Sequence, residues 1–465
     1  MDATRRLLAL QKTLATTITA VNVDSSKTSD DGNRLQRNPS HEADSSGNDI
    51  LILPNGDFIK AVLLDDDNGK AEVKRQIVLI HGSHKPIGVY HILYKASSVS
   101  LSLSAVGTPF EGRAHHVPKY PMLEIGPSTT ASIMSSADLW SIIYFLFVVH
   151  HAQEHLPVVI SERFDNCPVL VQYLLSSGLG RTQPNATTPN VLFVSRMAFW
   201  QGAGAIGWHE KGWLLPANAL TSESTARSTS AILPHHSFPY VPAFTRDELV
   251  IASHPLRPPK PQPGEALYRR YCPSVGKMLE FQYFCLDDSL GQAINHLATF
   301  HRWHNNPRVN AGWGEGGTLV EHRAYLEKVL ADPAVLPVMM SWDGELMGYI
   351  EIVWVKENHM ATYIGGAEGG EQARDWDRAL HVLVGEDRFK GKAFSSAWLR
   401  SAVHYAFLAE PRTERVLGEP RADNMAILEA CMNAGFHLQT VFDFPHKRSA
   451  LVITTRERFF KFDLL

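Results

Sequence analysis

Residues 378–394 read RALHVLVGEDRFKGKAF, and their reading decides the fold of the half of the chain that contains them. RALHVLVGED (378–387) has the apolar, β-branched character of a buried strand. From Phe394 onward Ala397, Trp398, Ser401, Ala402, Tyr405 and Leu408 recur at helical spacing and give one apolar stripe. Between strand and helix lies the short loop Arg388-Phe389-Lys390-Gly391-Lys392-Ala393. Such a loop leads into a helix N-terminus, whose unpaired amides and positive dipole end attract a phosphate-type anion. Gly391 and Ala393 keep side chains out of the way, and Lys390 and Lys392 add charge. An ordinary turn before a helix is the plainer reading of the same residues.

Working outward, FQYFCLD (281–287) reads as a strand and SLGQAINHLATFHRWHN (289–305) as a helix. LPVMMSWDGELMGYIEIVWVK (336–356) gives two strands joined across Asp343-Gly344, a favourable hairpin turn. Beyond the central helix, RVLGEP (415–420) is a short strand and NMAILEACMNAGF (424–436) a helix. Asn424 is placed as its N-cap and Gly435 as its C-cap. HLQTVFDFPHKRSALVITTRERFF (437–460) closes the chain as two strands.

The other half is less legible. Residues 1–49, with their Ser-, Asp- and Asn-rich run from Asp24 to Asn48, are expected to form a disordered N-terminal segment. DILILP and DFIKAVLLD read as strands around Asn55-Gly56, followed by QIVLIHG, PVVIS and NVLFVSRMAFW. LWSIIYFLFVV (139–149) is too short to cross a bilayer and reads as a buried helix or strand. No internal repeat is visible. These features give an α/β domain over 50–253, a Pro-rich connector over 254–270 and a second domain over 271–465.

Composition sets further bounds. The 465 residues suit two or three domains, and 44% apolar content permits sizeable cores. A net charge of −4 gives no basic surplus for nucleic acid or an anionic membrane. Cys167, Cys272, Cys285 and Cys431 form no C-x-x-C pair, so a reducing compartment is expected and no zinc knuckle or disulfide framework. No secretory signal is expected from the N-terminus. Arg6-Leu7 with Leu14 nearly fits a peroxisomal address, but Thr13 departs from it, and the final FDLL is not of the S-K-L type. The cytosol is the default, with the peroxisome as alternative.

Arg388–Ala393 resembles the Q/R-x-x-G-x-G/A loop of GCN5-related (GNAT) acyltransferases, and Asn424 placed eleven residues before Gly435 resembles their second motif. The resemblance implies an α/β (α+β) GNAT fold in the C-terminal half, with the N-terminal α/β domain a candidate degenerate GNAT-like copy. It also implies an acyl-CoA site formed by Val382, Val384, Arg388, Lys390, Gly391, Lys392, Ala393, Phe394 and Asn424. Many GNAT enzymes place a Tyr four residues before that Gly to protonate the leaving thiolate. Here the residue is Cys431.

A narrower resemblance runs from Phe281 to Thr455. FHRWHNNPRVNAGW (300–313) resembles the W-x-N-x-P-R-V…W signature of siderophore-biosynthesis acyltransferases, GYIEIVWVKE and LHVLVGEDRFKG resemble their central strands, and EPRTERVLGEPRADN their fifth strand. The family includes aerobactin hydroxylysine acetyltransferases, mycobactin lysine acyltransferases and fungal Nδ-hydroxyornithine transacylases. The resemblance implies an acetyl- or anhydromevalonyl-type acyl-CoA, hydroxyornithine as acceptor, a hydroxamate product and no catalytic metal. His381 and Glu419 fall on the proposed catalytic pair, with Glu where the mycobactin branch has Asp. His301, Trp303, Asn305, Pro307, Arg308 and Trp313 fall on the acceptor signature. Arg308 is a candidate to hold the amino-acid carboxylate.

The residues allow their own reading beside this. A strand His close to an ordinary pKa of about 6.5 can accept a proton at neutral pH, and a neighbouring carboxylate would fix its tautomer. A satisfied core histidine is the plainer alternative, as core packing is for Trp303 and Trp313. Other amines as acceptors, and a non-catalytic acyl-CoA-binding protein, are the rival functions, and a homo-oligomer is left open. Several motifs lead nowhere. Gly202–Gly207 spells G-x-G-x-x-G but lacks a following helix and acidic residue. HAQEH (151–155) lacks a third metal ligand, Leu79–Gly82 lacks a G-x-S-x-G partner, and Asn185-Ala186-Thr187 is a glycosylation sequon without a signal.

Overall fold

The computed structural model describes residues 49–64, 73–80, 82, 84–100, 119–128, 132–151, 153–182, 191–204, 241–286, 295–364, 372–462 and 465. The polar run from Asp24 to Asn48, Ala205–Gly207 and the Asn185 sequon lie outside them. The chain divides between His235 and His236 into two compact units.

The first unit is built on one mixed sheet. Its strands are β1 (Asp49–Ile52), β2 (Phe58–Leu64), β3 (Val73–Ile80), β4 (Pro86–Ser100) and β5 (Lys119–Pro127). Helix α1 (Ser136–Val149) then leads to β6 (His155–Ile160), α2 (Cys167–Ser176), β7 (Gly180–Thr182), β8 (Leu192–Ser195) and α3 (Arg196–Trp200). The strand order is β1-β2-β3-β4-β5-β6-β8-β7, with β5 and β6 parallel and every other neighbour antiparallel. The apolar run Leu139–Val149 is helical because both faces are covered. Leu139, Ile142, Ile143, Tyr144, Leu146 and Phe147 all have essentially no exposed surface.

The second unit opens with the hairpin β9 (Pro242–Arg246) and β10 (Ile251–Pro255). The Pro-rich stretch that follows is held to this unit. Arg257 makes a buried ion pair with Glu357 and donates to Asp375 O at 2.6 Å. The sheet then runs through β11 (Ala266–Cys272) and β12 (Lys277–Tyr283), followed by three helices, α4 (His296–His304), α5 (Pro307–Trp313) and α6 (Leu319–Ala331). After them come β13 (Val335–Trp342), β14 (Glu345–Trp354), β15 (Arg378–Val384), α7 (Lys392–Ala409), β16 (Arg415–Gly418), α8 (Met425–Asn433), β17 (His437–Asp443), β18 (Arg448–Thr455) and α9 (Arg456–Lys461). The order is β11-β12-β13-β14-β15-β16-β18-β17, and the single parallel pair is β15 with β16.

The two sheets therefore share one topology, and the helices after the fifth, sixth and eighth strands correspond, while α4–α6 have no counterpart among the described residues of the first unit. Matching contacts support the likeness. Arg196 Nη2 donates to Phe147 O and His150 O, and Arg456 Nη2 donates to Phe407 O and Glu410 O. Each residue of the second set lies 260 positions after its counterpart (456 − 196, 407 − 147, 410 − 150). Ser141 and Ser401 keep the same spacing, each donating to the carbonyl four residues back at 2.8 Å. The first unit is thus a second copy of the C-terminal fold.

Two segments read as strand alone end in short helices. Ser195 caps α3 by accepting from Ala198 N, and Thr455 caps α9 by accepting from Arg458 N. Each hydroxyl satisfies an amide that the strand could not, so the chain turns helical one residue later. Among the described residues no helix is long and apolar enough to cross a membrane.

Candidate active site

Strands β15 and β16 pair only through Arg378↔Val416 and Ala379↔Leu417, then part. The parting is written into the chain, because β16 ends at Gly418 and continues as Glu419-Pro420. Proline has no amide to extend a ladder. The opening leaves the edge of β15 from Leu380 to Val384 without a strand partner on that side. His381 stands at this opening, with its side chain 22% exposed.

His381 lies between two carboxylates. Its Nδ1 is 3.4 Å from Oε2 of Glu351, which sits directly opposite on β14. Its Nε2 is 3.1 Å from Oε1 of Glu419, an ionic contact lying off the N–H direction. Both carboxylates are buried. Tyr325 and Tyr349 donate to Glu351 Oε1 at 2.7 and 3.0 Å, and Lys447 Nζ lies 2.6 Å from Glu419 Oε2.

Burial alone would lower the His381 pKa, but hydrogen bonding and attraction from Glu351 and Glu419 outweigh it and raise the pKa to about 10. Burial works the other way on Glu419, where His381 and Lys447 prevail and hold the carboxyl down to about 2. Glu351 is also lowered, against burial, by His381 and the two tyrosines. The two carboxylates thus favour the imidazolium form of the ring. The sequence-based expectation of an ordinary His pKa is overturned by the second carboxylate.

The sequence brought forward His381 and Glu419 but missed Glu351, Tyr325, Tyr349 and Lys447. Glu351 carried a readable signal, since it is the one charged residue in the apolar run Gly348–Val355. A lone carboxylate in a buried strand needs a partner. Lys447, in the turn between β17 and β18, gave none.

At the far end of β15 the loop enters α7 as expected. Gly391 is the N-cap at φ 109°, no side chain caps the helix, and no acidic residue lies in its first turn. A Cβ at Gly391 would meet nothing within 4 Å, so no neighbouring group crowds the cap residue on that side. Arg388, Lys390 and Lys392 are exposed and pair with the surface carboxylates Glu345, Asp387 and Glu429. Phe394 packs on Phe389 and Trp342. Asn424 caps α8 by accepting from Ile427 N at 3.4 Å. Gly435 closes that helix at φ 85°, with Phe436 N donating to Cys431 O. Burial pushes the Cys431 thiol up to about 12, which makes it a poor proton donor to a thiolate.

The acceptor signature lies against β15, and much of it is structural. Trp303 is buried and donates Nε1–H to Glu386 at 2.9 Å. Arg308 donates to Val384 O and Gly385 O and pairs with Asp387 at 3.1 Å. Trp313 Nε1 is 3.3 Å from Val382 O. His301 Nδ1 is 2.8 Å from His322 Nδ1, and Asn305 joins His301 and Gly317. Arg308 and Trp313 thereby tie the α4–α6 segment to the carbonyls of Val382, Val384 and Gly385.

Gly385 is what admits Trp303, since a Cβ there would lie 2.1 Å from the indole. Gly385→Ala is expected to destabilise the chain by about 1–3 kcal/mol through overpacking. Gly312→Ala, where a Cβ meets nothing within 4 Å, should leave the thermal midpoint unchanged or higher. Melting curves of the two variants check this.

The first unit has lost the same site. Asn166 and Asn424 are the N-caps of α2 and α8, each six positions beyond its strand's last residue (166 − 160, 424 − 418). This alignment puts Ser161 at the Glu419 position. Carrying the registers across puts Gly126 at His381 and His91 at Glu351. A Cβ at Gly126 would lie 2.9 Å from Arg163 Nη2. At the start of α1, Ser135 caps the helix and the first-turn carboxylate of Asp138 accepts from Tyr90 at 2.6 Å. A carboxylate there occupies the end of the helix that favours an anion.

Residues 293–444 match the family model described as "Acetyltransferase (GNAT) domain". An acyltransferase, ato1, of Omphalotus olearius is 38% identical over 73% of this chain and 79% of its own length. A hydroxyornithine transacylase, SID3, of Ajellomyces capsulatus is 36% identical over 70% of this chain and 72% of its own. The N(5)-hydroxyornithine:cis-anhydromevalonyl coenzyme A-N(5)-transacylase SIDF of Beauveria bassiana is 32% identical over 73% and 76%.

Proposed function

From the premise that this chain belongs to the GNAT acyltransferase family that includes the fungal hydroxyornithine transacylases, we propose that it acylates the hydroxylamino nitrogen of N5-hydroxyornithine. The donor is an acyl-CoA of the acetyl or anhydromevalonyl type, and the product is a hydroxamate for siderophore assembly. The observation that carries the reading is the pairing of an uncapped, anion-ready helix start at Gly391 with a buried Glu351–His381–Glu419 cluster on the same strand edge.

The roles follow from placement. The amides opening α7, at Lys392 and Ala393, take the pyrophosphate, with Arg388, Lys390 and Lys392 adding long-range attraction. The thioester arm lies along the edge of β15, using the backbone N–H groups of Val382 and Val384, whose carbonyls Trp313 and Arg308 already engage. Phe394 and Asn424 shape the walls. His381 and Glu419 stand at the reacting carbon, and an amide of β15 faces the developing oxyanion. A hydroxylamino nitrogen is largely uncharged near neutral pH and attacks without first losing a proton. His301, Trp303, Asn305, Arg308 and Trp313 act by setting the α4–α6 wall of the acceptor pocket. Cytosol or peroxisome suits a reaction among soluble metabolites.

The test is CoA release with N5-hydroxyornithine against ornithine. Turnover with the hydroxylated acceptor should exceed that with ornithine by at least about tenfold, because ornithine carries a protonated amine that must first be neutralised. Equal rates would count against the hydroxamate reading and favour a general amine acceptor.

A further inference from the structure

His381 touches a carboxylate on each side, and this geometry bears on which way its proton moves. A neutral imidazole has one N–H and one lone pair. With Glu351 3.4 Å from Nδ1 and Glu419 3.1 Å from Nε2, a neutral ring would turn its lone pair toward an anion. A doubly protonated ring faces an acceptor with each nitrogen. Glu351 is fixed for this purpose, since Tyr325 and Tyr349 both donate to its Oε1 and leave Oε2 to the ring. The Nε2–H is different. It lies 3.1 Å from Glu419 Oε1 but poorly aligned with it, so it is held by charge more than by a directed hydrogen bond, on the side where β15 and β16 part.

We propose that Glu351 is a positioning residue which, with Glu419, keeps both ring nitrogens of His381 protonated, so that the histidine gives a proton to the departing CoA sulfur instead of taking one from the attacking nitrogen. The inference rests on the acyl-CoA transfer reading above and supplies the acid that Cys431 cannot. The nitrogen lone pair forms the new N–C bond. The C–S bond breaks with its electron pair on sulfur, and the Nε2 proton of His381 passes to that sulfur to give the free thiol. The hydroxylamine N–H proton leaves to water, and water returns a proton to His381. The reaction is balanced with no other reactant.

The charged and titratable groups around the ring are Glu351 and Tyr349 from β14, Tyr325 from α6, Glu419 after β16, and Lys447 from the β17–β18 turn, which holds Glu419. His359, with His446 beside it, also interacts electrostatically with this group. Removing the Glu351 charge alone should therefore lower the proton affinity of His381 while Glu419 keeps its lysine.

The experiment uses the full chain. The pH profile of kcat is measured for the natural protein and for Glu351→Gln, with acetyl-CoA and N5-hydroxyornithine. An acid role predicts that the alkaline limb in Glu351→Gln moves down by roughly 1–3 pH units, with KM for acetyl-CoA unchanged and partial recovery in Glu351→Asp. Higher kcat at pH 7 with the acidic limb moved down is the signature of a base and overturns the proposal. A second measurement needs no turnover and no folded variant at Glu351. In ¹⁵N-histidine spectra of the natural protein, the ring assigned by its loss in His381→Gln should still be imidazolium at pH 8. A neutral ring at pH 7 overturns the proposal. Failure of every hydroxylamine acceptor would instead sink the substrate reading, while these spectra still report on His381.

Discussion

His381→Ala is expected to lower kcat by about 10²–10⁴-fold, the range for losing a positioned proton-transfer group, while acyl-CoA affinity stays within a few-fold. The split follows from where the residues lie. His381 is on the strand edge, and the anion-binding amides are at the start of α7 beyond Gly391. The substitution should also cost stability, because it leaves the buried carboxylates of Glu351 and Glu419 facing each other without the cation between them. Breaking a buried ion pair on one side typically costs about 3–5 kcal/mol. The sign of its pH dependence is fixed. A histidine whose folded pKa is raised to about 10 contributes stability that is fully present below the unfolded value of about 6.5 and lost as pH rises through 10. The gap in thermal midpoint should therefore be wider at pH 5, where the contribution is fully present, than at pH 8, where the unfolded histidine has already released its proton. Steady-state kinetics, calorimetry with acetyl-CoA and melts at pH 5 and 8 read all three effects. A large loss of CoA affinity would contradict the separation of roles.

Gly391→Val is the second large effect, and it falls on the other half of the split. Gly391 has φ 109° and ψ 162°, a backbone region essentially reserved for glycine that costs other residues of order 1–3 kcal/mol. The loop can relieve that strain only by rotating the first amides of α7 away from the bound diphosphate. Acyl-CoA dissociation constants should rise by roughly 5–150-fold, the equivalent of about 1–3 kcal/mol, with kcat at saturation much less affected. Lys390→Ala and Lys392→Ala should each cost only a few-fold, and that loss should shrink as salt is added, because both side chains are exposed. If Gly391→Val leaves affinity alone, the diphosphate does not sit at this helix.

What the sequence disclosed followed how local each feature is. The strand at 378–384, the loop and the long helix after it were legible because periodicity and turn chemistry are local. The same holds for the Asp343-Gly344 turn and the Asn424 and Gly435 caps. The duplication was not legible, although Arg196 and Arg456 keep a spacing of 260 residues with their carbonyl partners. Those partners are backbone atoms, which leave no residue identity to compare, and the active-site positions have diverged to Gly126, His91 and Ser161. His381 and Glu419 could be named, but not the charge on the ring. That charge depends on Glu351, brought opposite His381 by strand register across 30 residues of chain, and no local pattern encodes register between strands. Trp303 and Arg308 show the converse. Their motif is plain in sequence, yet their side chains are spent on Glu386 and on the carbonyls of Val384 and Gly385.

One acyl-CoA per chain, held where the C-terminal sheet opens and α7 begins, is the claim on which the rest stands. Titrating the full chain with acetyl-CoA in a calorimeter tests it most directly. A single equivalent of heat per polypeptide is expected, because the matching helix in the first unit starts with the Asp138 carboxylate. No heat from folded protein, or two equivalents per chain, would contradict the account.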